Sequence, residues 1–135
     1  MNQVTIYHNP NCGTSRNVLA MIRAVGIEPQ IIEYLKTPPK EKELQQILVQ
    51  MGISAKELRR TNVPEFEKYH LQEAKSEHDI IDAMMIEPIL INRPIVVTEK
   101  GMLLCRPSER VLEVLSKSLD KDFVKEDGEI VCSIR

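Results

Sequence analysis

Between residues 4 and 35 the spacing of apolar side chains changes period twice, and no other feature restricts the fold as much. Val4 and Ile6, flanked by Thr5 and Tyr7, make a short strand-like opening. His8-Asn9-Pro10-Asn11-Cys12-Gly13 then breaks it with turn-forming residues. From Ser15 onward Val18, Leu19, Ile22 and Val25 recur at helical spacing, and Gly26 offers a stop. Ile31, Ile32, Tyr34 and Leu35 return to strand character, closed by Thr37-Pro38-Pro39. A strand, a helix and a strand in that order predict two parallel neighbours with the helix crossing over between them.

The middle of the chain reads as helical. Leu44, Ile47, Leu48 and Met51 form one apolar face ended by Gly52. Ser54 with Glu57 has the spacing of a capping box, and Ser76 with Asp79 repeats it ahead of Ile80, Ile81, Met84 and Met85. The polar stretch between residues 61 and 75 predicts a mixture of turn and short helix. Ile95–Thr98 and Met102–Cys105 flank Glu99-Lys100-Gly101, a hairpin pattern in which glycine takes a positive-φ position. Ser108 is the expected cap of a last helix carrying Val111, Leu112, Val114 and Leu115. The polar, acid-rich tail from Lys117 gives no clear element. The order β-α-β, helical block, β-β-α predicts a small mixed sheet covered by helices, with strand ends meeting helix N-termini.

A chain of 135 residues suits one domain and buries a sizeable core without staples. Aromatic residues make up 4% with no tryptophan, which argues against a base-stacking surface. A net charge of -2, with both signs interspersed, argues against a general nucleic-acid or membrane-surface binder. No apolar stretch reaches the ~20 residues that span a bilayer, and the N-terminus lacks a signal-peptide pattern. A cytoplasmic monomer is the expectation. Cys12, Cys105 and Cys132 have neither disulfide-framework nor zinc-ligand spacing, so no metal site is expected. Cys105 ends an apolar strand and reads as core, whereas His70 and His78 sit in polar segments and read as surface.

Cys12 carries the chemistry. A cysteine just before a helix meets free backbone N–H groups and the positive end of the helix, both of which favour thiolate. Gly13 leaves the approach open, Thr14 and Ser15 can cap the helix or donate to an oxyanion, and Arg16 adds positive charge. His8 favours thiolate if its ring folds back toward the sulfur. Ser15 stands where a Cys-x-x-Cys pair would have its second thiol, so exchange between two neighbouring cysteines is unavailable.

Tyr7-His8-Asn9-Pro10-Asn11-Cys12-Gly13-Thr14-Ser15-Arg16 resembles the active-site loop of the glutaredoxin-coupled arsenate reductases. Three further segments match in order: Arg59-Arg60 after Met51-Gly52-Ile53-Ser54, the run Pro88–Thr98, and Leu104-Cys105-Arg106-Pro107-Ser108. The resemblance covers roughly residues 1–130. It implies an α/β, thioredoxin-like fold: a mixed four-stranded sheet flanked by helices, with a helical insertion over about residues 40–86 of a single domain.

The resemblance further implies reduction of arsenate to arsenite. Cys12 attacks arsenate; Arg60, Arg93 and Arg106 hold its oxygens; His8, Gly13, Thr14 and Ser15 complete the substrate loop. Glutathione is the co-substrate and glutaredoxin the partner, with no tightly bound cofactor. Pro94 takes the place of the cis-proline that faces the active-site cysteine in thioredoxin-like folds. The residues themselves agree with an oxyanion, because the planar fork of arginine donors suits tetrahedral oxygens. Arg93 lies before one strand of the hairpin and Arg106 after the other, positions that return to one sheet end. Two rival readings remain. A redox-sensing, RNA-polymerase-binding relative would carry Cys-x-x-Cys, and a general glutathione-dependent thiol reductase would not need three arginines.

Overall fold

The computed structural model describes residues 3–72 and 76–133. It divides into two compact units, one of residues 1–33 with 93–135 and one of residues 34–92.

In the first unit, β1 (Thr5–His8), α1 (Gly13–Ala24) and β2 (Gln30–Glu33) follow the two changes of period. β1 and β2 are parallel neighbours, with Thr5 opposite Gln30 and His8 opposite Glu33. The second unit holds α2 (Glu41–Met51), α3 (Ala55–Leu58), α4 (Pro64–Lys68) and α5 (Glu77–Ile86). The chain returns to the first unit through β3 (Ile95–Thr98) and β4 (Gly101–Leu104), then a 3-10 helix (Ser108–Glu113), β5 (Phe123–Val124) and β6 (Ile130–Val131). The main sheet has the order β2-β1-β3-β4, with β3 antiparallel to both of its neighbours. It is thus the mixed four-stranded sheet with an extra helical region.

The α1 face carrying Val18, Met21 and Ile22, with Val25 just past the helix, packs with Ile6 and Val96 of the sheet, with Val4 just before it, and with Val111 and Val114. Val18, Met21, Ile22, Ile6 and Val96 are fully buried, and each such side chain contributes roughly 1.5–3 kcal/mol. Thr98 pairs with Gly101 across a two-residue turn, and Gly101 takes φ of 145°, where a side chain would be strained.

In the second unit Gly52 ends α2 in the left-handed region. The Ser54–Glu57 capping box is complete, and Ser76 accepts from the Asp79 amide. α5 packs on both α2 and α3. The polar stretch holds the short α4 followed by turns, its residues 73–75 lying outside the described residues.

Two sequence expectations need correction, and the tail, which carries no clear signal in the sequence, gains an element. β2 stops at Glu33, because its partner β1 ends opposite at His8; Tyr34 is instead buried and donates through its hydroxyl to the Ile91 carbonyl. The last helix is 3-10, with Pro107 at its N-cap and Ser108 buried inside it, so Ser108 does not cap. The tail forms the β5–β6 hairpin. No helix among the described residues is long and apolar enough to cross a membrane.

Candidate active site

The register of the sheet assembles the site. Tyr7 lies opposite Ile95, and Ile95 lies opposite Leu104. The end of β1, the start of β3 and the end of β4 therefore share one edge of the sheet. The loop to Cys12 leaves from the first, Arg93-Pro94 enters the second, and Cys105-Arg106 leaves the third. The Arg93–Pro94 and Arg106–Pro107 peptides are both cis. The Cys105 amide donates to the Pro94 carbonyl at 2.9 Å, closing the hairpin at this end.

Within the loop, Asn9 sets the turn. Its side chain accepts from the Asn11 amide at 2.9 Å, and its carbonyl accepts from the Cys12 amide at 3.0 Å. Asn-Pro-Asn signals such a turn in the sequence, but only the fold shows Asn9 buried beneath it. Ser15 is fully buried; its Oγ accepts from the Asn9 amide at 3.1 Å and shares a 2.6 Å hydrogen bond with His8 Nδ1. The hydroxyl thus holds the loop together. Burial lowers the His8 pKa; Glu33 opposes that shift, and Arg23 and Arg16 add to it. His8 accordingly favours its neutral form and braces Ser15 rather than supplying a cation to the sulfur.

Cys12 is the N-cap of α1, in extended backbone conformation, and the first turn of the helix carries no acid. Its sulfur makes no capping hydrogen bond of ordinary geometry, yet the amides beyond it bear on its ionisation. Burial pushes the thiol pKa up. The Ser15 amide, the Arg93 charge, the Arg106 guanidinium and the Thr14 amide each act against burial, and the net shift is downward. Arg106 Nη1 lies 3.8 Å from Cys12 Sγ and donates to the Arg93 carbonyl at 3.1 Å. One guanidinium therefore touches both the thiol and the neighbouring arginine's backbone.

The remaining candidates divide. Arg93 is half-buried and Arg106 exposed, and both belong to the first unit with Cys12. Arg60 belongs to the second unit, where its amide donates to the Leu90 carbonyl at 2.7 Å. Its neighbour Arg59 is occupied differently: it donates to the Lys56 carbonyl and lies over the Phe66 ring at 5.4 Å. At Gly13 an added Cβ would meet only ordinary contacts, 3.7 Å from Arg16 and 3.8 Å from Glu126, so the fold does not require glycine there. Arg16 does not stand as an open cation beside the thiol; it is held by Glu126. Nothing in the polar tail singled out Glu126, since its partner lies 110 residues away.

Chemically, the arrangement offers a sulfur at a helix start whose acidity is raised by donors that stabilise negative charge, which suits attack on an oxyanion. Comparison with known proteins agrees. Residues 7–114 match the model of the ArsC family. An arsenate reductase of Escherichia coli K12 is 56% identical over 132 residues, covering 97% of this chain and 94% of that protein. An arsenate reductase of Rhizobium meliloti is 50% identical, covering 95% of this chain and 92% of its own. The solved arsenate reductase from Vibrio cholerae superposes with a TM-score of 0.80 at 38% identity, covering 84% of this chain and 98% of that one. The loop, the sheet and nearly the whole length match together: the chain belongs to the ArsC family.

Proposed function

We propose that this ArsC-family enzyme reduces arsenate to arsenite through Cys12, with electrons supplied by glutathione and glutaredoxin. The observation that carries this reading is the Cys12 sulfur at the start of α1, 3.8 Å from the Arg106 guanidinium.

Arsenate is a tetrahedral oxyanion, so an approaching thiolate meets charge of its own sign. Arg93 and Arg106 offset that repulsion, while the Ser15 and Thr14 amides favour the thiolate over the thiol before attack. Arg60 is the third arginine that the family resemblance assigns to the substrate oxygens. Gly13 and Thr14 line the approach, and His8 with Ser15 holds the loop in shape. Pro94 precedes β3 beside Arg93 and fixes the backbone there.

The sulfur of Cys12 bonds to arsenic and an arsenate oxygen leaves as water. The thiol of glutathione displaces a second oxygen as water. A glutaredoxin thiolate then attacks the glutathione sulfur. A glutathione–glutaredoxin disulfide forms, and two electrons stay on arsenic, now trivalent. Hydrolysis of the Cys12–arsenic bond releases arsenite and regenerates the thiol. The absence of a second thiol at Ser15 is what sends the reaction outward for its electrons. The single domain with a helical insertion is part of the same proposal.

The test is arsenite production from arsenate by the purified protein, with glutathione and glutaredoxin omitted in turn. Turnover is expected only when both are present. Full turnover with a different dithiol protein and no glutathione would sink the proposed electron route.

A further inference from the structure

The C-terminal hairpin touches two segments that supply the site. Arg16, on the first turn of α1, donates through Nε and Nη2 to the two oxygens of Glu126 at 2.8 and 2.9 Å. Its Nη1 donates to the Pro10 carbonyl at 2.8 Å, two residues before Cys12. The Glu126 amide donates to Asn17 Oδ1 at 3.0 Å, a second tether to the same helix. The adjacent Lys125 engages a different segment. Its side chain is only 8% exposed, and its Nζ pairs with Glu109 at 2.7 Å and with Glu129. Glu109 lies in the 3-10 helix, three residues after Arg106. The Lys125 amide also closes the hairpin on the Glu129 carbonyl at 2.8 Å.

The Arg16–Glu126 pair is half-exposed, and such pairs add little to stability. A two-pronged guanidinium–carboxylate contact nevertheless fixes direction as well as distance. Geometry is what these contacts supply. The charged groups that act on Cys12 are Arg93 before β3, Arg106 after β4 and Arg16 on α1; His8 ending β1 reaches Ser15 of the same loop, and Glu126 on the hairpin reaches the site through Arg16.

We infer that Glu126 and Lys125 are positioning residues for the Cys12 reaction: the hairpin clasps the Cys12 loop through Arg16 and the Arg106 segment through Glu109, fixing thiol and guanidinium relative to each other. The inference rests on Cys12 being the nucleophile. Charge and position make opposite predictions at Glu126. Removing the carboxylate that neutralises Arg16 leaves more of that cation's charge to favour thiolate, so a purely electrostatic Glu126 would lower the alkylation pKa in Glu126→Ala and Glu126→Gln alike. Loss of the clasp instead pulls Cys12 away from Arg106 and raises it.

The experiment measures arsenate reduction, the pH dependence of Cys12 alkylation and the melting temperature for wild type, Glu126→Ala and Glu126→Gln. Glu126→Ala is expected to raise the alkylation pKa and to cut kcat/KM about tenfold, since small displacements of reacting groups are costly. Its melting temperature should barely move. Glu126→Gln, which keeps one acceptor for Arg16, should fall between alanine and wild type in kcat/KM. Asn17→Ala cuts the parallel tether and carries the same test if Glu126→Ala does not fold. An unmoved or lowered alkylation pKa in the alanine variant, or a kcat/KM within about twofold of wild type, overturns the clasp. An ordinary thiol pKa for wild-type Cys12 defeats the nucleophile reading first and takes the clasp with it; the clasp alone fails when wild-type Cys12 is activated and Glu126→Ala leaves it so.

Discussion

Cys12 and Cys105 follow strands that end at the same edge of the sheet, and both are buried, at 7% and 0% exposure. Their acidities move in opposite directions. At Cys105 burial pushes the thiol up to about 12; Arg110 opposes that and Glu113 adds to it. Its thiol donates to the Leu103 carbonyl at 3.6 Å, an acceptor that suits a neutral thiol. At Cys12 burial acts in the same upward sense but is outweighed by backbone amides and two guanidinium groups. Depth does not decide reactivity; the direction of the surrounding dipoles does.

The harshest way to break the comparison is Cys12→Ser. A hydroxyl in that place stays protonated near neutral pH, so arsenite production should vanish while the circular-dichroism spectrum is retained. Substantial turnover by the purified variant would remove Cys12 from the mechanism. Arg106→Ala comes next. It strips the sulfur of its adjacent guanidinium, and kcat/KM should fall about 10²–10³-fold with a rise in the alkylation pKa. An unchanged alkylation profile would mean that Arg106 does not act on the thiol.

The smallest effect falls on the other cysteines. Cys105→Ala combined with Cys132→Ala should keep glutaredoxin-supported turnover and lose on the order of 1 kcal/mol of stability. Loss of turnover in a folded double variant would reveal an internal resolving thiol. The pH dependence of stability sharpens the contrast further. The Cys105 pKa is raised by folding, so its contribution is complete below the unfolded value of ~8.5 and is lost as pH rises toward about 12. Cys12 is lowered by folding, so its contribution is present above the unfolded value and lost as pH falls through the folded one. Urea midpoints across pH 7–10 for each single variant should therefore differ from wild type with opposite slopes, and equal slopes would contradict the comparison.

Local patterns were legible wherever neighbouring residues decide the outcome. The change of period around Cys12, the Gly52 stop, the Ser54–Glu57 box and the turn before Gly101 all involve residues a few positions apart. Where distant partners decide, the reading failed. Tyr34 left the strand pattern for a carbonyl 57 residues away, and Ser108 was drawn into the interior instead of capping. The tail carries two strands of two residues each, with Val131 in the core and Phe123 against it while Val124 and Ile130 stay exposed, too short a run to show a period in the sequence. Its anchors, Glu126 to Arg16 and Lys125 to Glu109, are charge contacts between remote segments.

By itself, the sequence determined that a thiol would sit at a helix N-terminus after a strand, because strand, turn and helix signals are local and adjacent there. It also determined that no second thiol would stand one turn on, since Ser15 occupies that place. Only the tertiary structure decided what surrounds the sulfur. The antiparallel register of β3 with β1 and β4 brings Arg93 and Arg106 to the edge where Cys12 emerges. It also turned two expected helpers inward or aside: the Ser15 hydroxyl braces the loop, and Arg16 is taken up by Glu126. Electrostatic effects on a thiol depend on distance and orientation through space, and those are set by strand pairing and packing rather than by separation along the chain.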